Sequence, residues 1–267
     1  MDIPPVFDPK KWTGKKIHEF YQKMRQNSGR PISTVFRISG DAVVKRAYHD
    51  FEFTVMELVR GTTQILTPRL LLRVRYDVYW YAVMEYIEGT TVAEAWSSMT
   101  SATKDIVIET LHDYIGQLRQ IKGGHSPTPG PLSPTPIMFQ IFQFGERARG
   151  PFKDYAALTQ FLNMKLDQAK RHPSDRMEQF NGNLPLVLTH NDLNMKNVMI
   201  GIDGRVWLID WGMSGYYPEY FEQFAMKHAM PCLKQPVDWA ADIPRVTGDY
   251  PKEMEKLYFI QEALTWR

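Results

Sequence analysis

Two short apolar runs joined by a tight turn constrain the fold of this chain more than any other feature. Residues 198–202 and 205–209 have strand-like composition, and the Asp-Gly pair between them is typical of a β-hairpin turn. Asn197 immediately precedes the first run, and Asp210 immediately follows the second. Because a hairpin returns the chain to the edge from which it started, these two polar side chains are expected side by side.

The loop before the hairpin carries further polar residues at a characteristic spacing. His190, Asp192 and Asn197 fit the pattern H-x-D-x-x-x-x-N, and Asp210 lies in the tetrapeptide Ile-Asp-Trp-Gly. Phosphoryl transfer depends on positioning and charge neutralisation, and Mg²⁺ prefers oxygen ligands of the kind that Asn197 and Asp210 would supply. Asp192 would then orient the acceptor group or take its proton, as in the kinase pattern.

Hydrophobic periodicity divides the rest of the chain into a strand-rich part and a helical part. Strands are predicted over residues 32–38, 41–47, 70–76, 79–86 and 184–189. Helices are predicted over 15–27, 51–61, 91–98, 102–120 and 154–170, and in most of the chain beyond 218. Residues 32–87 therefore predict a small antiparallel lobe with one helix, followed by a mainly helical region.

Composition and charge limit the classes of function. Lys+Arg total 32 and Asp+Glu total 30, so the formal charge of +2 provides no strong field, and neither nucleic acid nor a membrane is expected as a partner. The single cysteine, Cys232, cannot form an internal disulfide and is expected to be a small apolar residue. With no signal-peptide pattern and no long apolar stretch, the sequence predicts a cytoplasmic protein.

The motifs around the hairpin resemble those of the aminoglycoside phosphotransferase and choline kinase superfamily. Its catalytic loop is typically H-G-D-x-x-x-x-N, and its metal-binding Asp lies in an Ile-Asp-Trp context. Trp211 favours this group over protein kinases, and residues 215–220 and 150–152 are similar to segments of fungal members. The resemblance implies a two-lobed α+β fold like that of protein kinases, with a nucleotide-binding lobe in residues 1–87 and a helical lobe in residues 88–267.

The same resemblance implies an ATP or GTP site with Mg²⁺ between the lobes, and a structural role for His190. Lys45, in Ala-Val-Val-Lys, is expected to bind the phosphates, although a solvated strand-end lysine is the alternative. Glu52 is preferred over Glu57 as its partner. The hinge, whose backbone would bind the base, is expected at Glu85, Tyr86 and Ile87.

Several positions depart from the family pattern. Asn191 stands where glycine is usual, and Asn194 stands where histidine or lysine is usual. Lys196 would supply the missing charge only if its side chain turned inward; otherwise it is solvated. Protein kinases have a glycine-rich loop before the phosphate-binding lysine, whereas residues 28–40 of this chain contain only Gly29 and Gly40. These departures leave room for a catalytically inactive nucleotide-binding protein, or for a non-kinase biosynthetic enzyme on the same scaffold.

The expected acceptor is a hydroxyl of a small molecule. Only residues 211–217 separate Asp210 from the Pro-Glu pair at 218–219, a span too short for the peptide platform of protein kinases. A short turn leading into the helical region is predicted here, with residues 216–221 closing a pocket. The aromatic and acidic side chains after Asp210 would suit a cationic acceptor, or else belong to the core and to solvent. They are Tyr216, Tyr217, Tyr220, Phe221 and Trp239, with Glu219, Glu222, Asp238 and Asp242.

Overall fold

A computed structural model describes residues 4–27, 35–122, 128–145, 147–170 and 177–265. The predictions for Gly29, for the strand residues before Val35 and for the side chain of Cys232 fall outside the described part of the chain. No helix within the described residues is both long and apolar enough to cross a membrane.

The small lobe is a four-stranded antiparallel sheet with the strand order β1-β2-β4-β3. Its elements are α1 (Gly14–Asn27), β1 (Val35–Arg37), β2 (Ala42–Ala47), α2 (Phe51–Thr62), β3 (Leu70–Tyr76) and β4 (Tyr79–Glu85). Ile17 and Tyr21 of α1 pack against Val44 and Tyr81 of the sheet, and all four are buried. This packing is the amphipathic pattern that predicted both the helix and the strands.

The large lobe is mainly helical and carries two small sheets, β5-β7-β8 and β6-β9. Its strands are β5 (Gly89–Thr91), β6 (Leu186–Thr189), β7 (Val198–Gly201), β8 (Val206–Leu208) and β9 (Gly215–Pro218). Its helices are α3 (Val92–Ala95), α4 (Ser101–Gln120), α5 (Tyr155–Ala169), α6 (Tyr220–Leu233), α7 (Val237–Thr247) and α8 (Pro251–Thr265). The chain therefore has the predicted two-lobed α+β fold.

The lobes meet through a backbone bridge, in which the N–H of Leu208 in β8 donates to the carbonyl oxygen of Leu66 at 2.9 Å, and through a shared core. Gly89 begins β5, and a Cβ atom there would lie 2.1 Å from the carbonyl oxygen of Ile200, so only glycine allows β5 to approach β7 this closely. Met56 of α2 belongs to the same apolar cluster as Leu208 of the hairpin. The division of the chain at residue 87 stays a prediction.

Two strands were missed, β9 and β5 (Gly89–Thr91), whose last residue falls within the predicted helix over 91–98. Residues 215–218 form β9, which pairs with β6 in antiparallel register from Gly215↔Thr189 to Pro218↔Leu186. The predicted short turn therefore ends at residue 214, and the chain then returns through the centre of the lobe before α6 begins. The aromatic residues of this segment gave no alternation that would have marked a strand, because both faces of β9 are buried.

Candidate active site

The hairpin of β7 and β8 holds the two predicted metal-binding residues at one edge. The N–H of Ile209 donates to the carbonyl oxygen of Asn197 at 3.0 Å, so Asn197 and the residue before Asp210 are direct neighbours. Asp210 has φ +63°, a left-handed conformation that turns its carboxylate out of the strand direction. Its side chain is 46% exposed. The local spacing therefore produced the edge that the sequence predicted.

Asp192 lies beside this edge and is held by two amide side chains. Nδ2 of Asn194 donates to Oδ1 of Asp192 at 3.0 Å, and Nδ2 of Asn197 donates to Oδ2 at 2.8 Å. Burial and the nearby carboxylate of Asp210 raise the pKa of Asp192 to about 7, although both amides oppose this shift. A carboxylate whose pKa lies near neutrality is suited to accept a proton at physiological pH.

A lysine from the small lobe reaches across to the hairpin. Nζ of Lys45 lies 2.5 Å from Oε1 of Glu52 and 2.8 Å from Oδ1 of Asp210. Glu57, the less favoured candidate, contacts Arg73 instead. Burial lowers the pKa of Lys45, but the carboxylates of Glu52 and Asp210 outweigh it and raise this pKa well above the usual lysine value. The group therefore carries a fixed positive charge between two carboxylates.

The predicted hinge borders a cavity of about 210 Å³ between the lobes. The N–H of Tyr86 donates to the carbonyl oxygen of Asp41 at 2.8 Å, whereas the N–H of Ile87 has no acceptor among the described residues. The backbone donor that remains for a ligand is therefore that of Ile87. The cavity is lined by Lys45, Glu52 and Asp210, by Glu85, Tyr86 and Ile87, and by apolar side chains that include Val43, Met56, Met84, Met199 and Ile209.

His190 is a structural residue of the loop. Its side chain is fully buried beside Trp211, and its Nε2 contacts the carbonyl oxygen of Ile209 at 3.0 Å. The N–H of Asp192 donates to its Nδ1 at 3.3 Å. Burial lowers the pKa of His190 to about 4, so that the ring is neutral at physiological pH. The ring therefore links the loop to the hairpin.

Two residues outside the motif support the loop from below, and sequence reasoning missed their roles. Glu222 of α6 is buried, and its carboxylate accepts the N–H groups of His190 at 2.7 Å and of Asn191 at 3.0 Å. Nε2 of Gln143 donates to Oδ1 of Asn191 at 2.9 Å and to the carbonyl oxygen of Phe221 at 2.6 Å. Both lie far from the loop in sequence, and nothing in their local pattern marks them.

The departures from the family pattern have local explanations. Asn191 has φ +60°, a conformation that glycine adopts freely and that asparagine tolerates better than most residues. Asn194 bonds to Asp192, whereas Lys196 is exposed. Lys196 therefore adopts the solvated alternative.

The aromatic residues after Asp210 belong to the core. All five pack, buried, in the two large apolar clusters: Tyr216, Tyr217, Tyr220, Phe221 and Trp239. They therefore do not form the wall of an acceptor pocket.

The acidic residues of the same segment are also engaged. Asp238 binds Lys104 at 2.7 Å, Asp242 binds Arg245 at 2.8 Å, and Glu219 lies 3.9 Å from Arg119. With Glu222 holding the loop, the side chains that suggested a cationic acceptor have other partners.

Solved structures of phosphotransferases share this fold. The aminoglycoside phosphotransferase APH(3'')-Id from Streptomyces rimosus, in complex with ADP and streptomycin, is 15% identical, with a TM-score of 0.52, over 94% of this chain and 99% of that chain. Spectinomycin phosphotransferase APH(9)-Ia, in complex with ADP and spectinomycin, is 11% identical, with a TM-score of 0.50, over 93% of this chain and 86% of that chain. APH(2")-IIa, in its complex with gentamicin, is 14% identical, with a TM-score of 0.51, over 90% of this chain and 85% of that chain.

The structural comparisons show the fold, whereas comparison of the sequence with family profiles shows the family. No curated protein sequence matches it. The profile of the phosphotransferase enzyme family, APH, matches residues 16–255, which include the small-lobe sheet, the catalytic loop and the hairpin. With nearly the whole chain matched, this protein belongs to the phosphotransferase enzyme family.

Proposed function

We propose that the protein transfers the γ-phosphoryl group of ATP or GTP, bound with Mg²⁺, to a hydroxyl group of a small molecule. The observation that supports this proposal is the convergence of three charged groups at the end of the hairpin, beside the cavity. Lys45 comes from the small lobe, Asp210 from the end of the hairpin and Asp192 from the loop before it. Phosphoryl transfer requires positioned charges that stabilise the phosphates and a carboxylate that accepts the proton of the acceptor, and these three residues would supply both.

Lys45 and the hinge would hold the nucleotide. The ammonium of Lys45 now contacts Asp210, and the phosphates of a bound nucleotide would replace Asp210 as its second partner. Glu52 would keep the lysine in place, because its own side chain is only 6% exposed and has little freedom. The backbone at Glu85 and Ile87 would bind the base. In this proposal residues 1–87 form the nucleotide-binding lobe, and residues 88–267 supply the catalytic groups.

The residues present fit a magnesium ion that arrives with the nucleotide. Asp210 offers a half-exposed carboxylate, and the amide of Asn197 directs its Nδ2 to Asp192, which leaves Oδ1 as a ligand. Within the described residues no cluster of three or more His, Cys, Asp or Glu side chains could hold a metal by itself, so most ligands would come from phosphates and water. Bound magnesium would neutralise negative charge on the phosphate oxygens.

Asp192 would orient the acceptor and take its proton. As the acceptor oxygen forms a bond to the γ-phosphorus and the bond to the leaving β-phosphate oxygen breaks, the hydroxyl proton passes to the carboxylate of Asp192. The carboxylate is fixed in place by Asn194 and Asn197, so little reorganisation accompanies the step.

A small acceptor is favoured over a peptide because the chain after Asp210 has no free segment. Residues 215–218 are paired with β6 and buried, so they offer no exposed platform. The proposal leaves the charge of the acceptor open, because the aromatic and acidic residues that suggested a cation are occupied elsewhere.

Incubation with γ-labelled ATP tests the proposal. The wild-type protein is expected to transfer label to a compound in a small-molecule extract in the presence of Mg²⁺, and not to mixed proteins. Asp192→Asn is the matched control and should transfer at least about 100-fold less label. If MgATP binds but no label leaves it, the protein is a nucleotide-binding protein without turnover. If label appears only on proteins, the acceptor class is wrong.

A further inference from the structure

The carboxylate of Asp192 is held by two asparagines that make matching contacts. Nδ2 of Asn194 donates to the main-chain oxygen of Asp192 at 3.1 Å and to Oδ1 at 3.0 Å. Nδ2 of Asn197 donates to the same main-chain oxygen at 2.9 Å and to Oδ2 at 2.8 Å. Each carboxylate oxygen therefore has its own amide donor, and the side chain cannot rotate without losing both bonds.

The two asparagines differ in what their other amide atom does. Oδ1 of Asn197 is the proposed metal ligand. Oδ1 of Asn194 accepts the N–H of Lys196 at 2.9 Å, and the main-chain oxygen of Asn194 accepts the N–H of Asn197 at 2.9 Å. Asn194 is only 5% exposed. It is therefore fixed by the loop on one side and bonded to Asp192 on the other, with both hydrogens of its Nδ2 engaged.

We infer that Asn194 is a positioning residue that aims the carboxylate of Asp192 at the acceptor hydroxyl. This inference rests on the proposed function, since it assigns Asp192 the acceptor. A basic side chain is usual at this position in the family that the sequence resembles. The amide cannot neutralise phosphate charge as a lysine would, and its hydrogen bonds give it a different task.

A merely structural role is the competing explanation, because Oδ1 of Asn194 also closes a turn with Lys196. The chain contains a matched example of that turn without a carboxylate to hold. Oδ1 of Asn181 accepts the N–H of Asn183 at 3.1 Å, on an exposed loop beside a groove formed by α5. Asn181→Ser therefore shows what the same substitution does in such a turn where no carboxylate is held.

Two substitutions separate the turn from the carboxylate contact. In Asn194→Ser the hydroxyl can still accept the N–H of Lys196, but its shorter side chain does not reach Oδ1 of Asp192. In Asn194→Asp the size and the turn acceptor are kept, but a second carboxyl group replaces the amide donor and either repels the Asp192 carboxylate or shares a proton with it, which also removes the free base. Because Asp approximates the shape of Asn, it guards against a serine variant that fails to fold.

The kinetic readout is phosphate release from MgATP with water as the acceptor. We expect kcat to fall about 10- to 100-fold in both Asn194 variants, the loss associated with one hydrogen bond to a charged group. For Asn194→Ser the KM for MgATP should stay within error of the wild type, whereas the melting temperature should fall by a few degrees because a hydrogen bond to a buried carboxylate is lost. Asn181→Ser should leave both kinetic constants unchanged. A kcat within twofold of the wild type in either Asn194 variant overturns the inference, as does a loss that appears only as a raised KM.

Crystal structures of the ligand-free wild type and Asn194→Ser provide a readout that needs no turnover. We expect the Asp192 carboxylate to rotate or to occupy several positions in the variant, while the turn at residues 194–197 is kept. If the carboxylate moves but the wild type transfers no phosphate, the proposed function fails, and only the role of Asn194 in holding the Asp192 carboxylate stands. If the wild type transfers phosphate and the carboxylate stays in place in the variant, the positioning role fails alone.

Discussion

The loop and hairpin of residues 190–210 and the aromatic segment of residues 216–239 lie next to each other, yet their side chains behave in opposite ways. In the first region the motif residues converge beside the cavity, where Asp210 contacts Lys45 and Asp192 lies close to both charges. In the second region the most conspicuous side chains turn away from it. Tyr217 and Trp239 are fully buried in the core.

This contrast shows which sequence patterns determine where their side chains lie. A hairpin fixes the relative positions of its ends through its own hydrogen bonds, so spacing alone brings Asn197 and Asp210 together. An aromatic-rich segment has no such internal geometry. Whether its rings face a pocket or the core depends on strands and helices far away in the sequence, and burial of large rings is the more favourable outcome.

Substitution of Asp192 should have the largest effect and tests the catalytic region directly. Asp192→Asn removes the proton acceptor while keeping the shape of the side chain. We expect kcat to fall by about 10²–10⁴-fold, the usual contribution of a general base, with little change in the affinity for MgATP. Steady-state kinetics with nucleotide-binding measurements would check both. Turnover at the wild-type rate would mean that Asp192 is not the catalytic carboxylate.

Asp210 should control the response to magnesium. Asp210→Ala removes the charged ligand, so stabilisation by MgATP should fall to the level seen with ATP and a chelator. For the wild type at 100 times Kd the expected stabilisation is about 2.7 kcal/mol. Thermal unfolding with and without Mg²⁺ measures the difference. An equal magnesium-dependent increment in both proteins would contradict the assignment.

Glu222 joins the two regions, because it lies in α6 and binds the catalytic loop. Burial raises its pKa from 4.5 to about 7, although the hydrogen bonds from the N–H groups of Asn191 and His190 oppose this shift. The folded state therefore holds a proton that the unfolded state releases, and stability should fall as the pH rises from about 4.5 to about 7. In Glu222→Gln the unfolding free energy should fall less steeply with pH than in the wild type, by as much as about 1.4 kcal/mol per pH unit.

Denaturant unfolding across this pH range would measure the slope. Glu178→Gln is the matched control, since the side chain of Glu178 is 77% exposed, and it should keep the wild-type slope. Asp192, whose pKa is also raised to about 7, contributes a slope of the same sign that both variants retain. Identical slopes in the wild type and Glu222→Gln would show that Glu222 does not titrate in this window.

Tyr217 should give the smallest effect and tests the aromatic segment. Its hydroxyl is buried and has no partner among the described residues. Tyr217→Phe removes this unsatisfied group, so the free energy of unfolding should be unchanged or should rise by up to about 1 kcal/mol. The KM for any acceptor should not change. A change in the KM for the acceptor without a change in stability would mean that Tyr217 does contact the acceptor.

Much of the fold and the polar edge of the site could be predicted from the sequence. Helices α1 and α2 and strands β2, β3 and β4 agree with the predicted boundaries within one or two residues, because hydrophobic periodicity is a local property. The strand β9 could not be predicted, because it is buried on both faces and has no alternating pattern. Gln143 and Glu222 could not be predicted either, because their partners become neighbours only when the chain folds.

The sequence by itself determined the local order of Asp192, Asn197 and Asp210, since spacing along one loop and one hairpin is enough to set it. Its hydrophobic periodicity and its motifs indicated the two lobes and the family. Only the tertiary structure decided that Glu52 pairs with Lys45, since both Glu52 and Glu57 lie on the same short helix. It also decided that Asn194 bonds to Asp192 and that the aromatic residues after the hairpin fill the core. These outcomes depend on which surfaces pack together, and packing is a property of the whole chain.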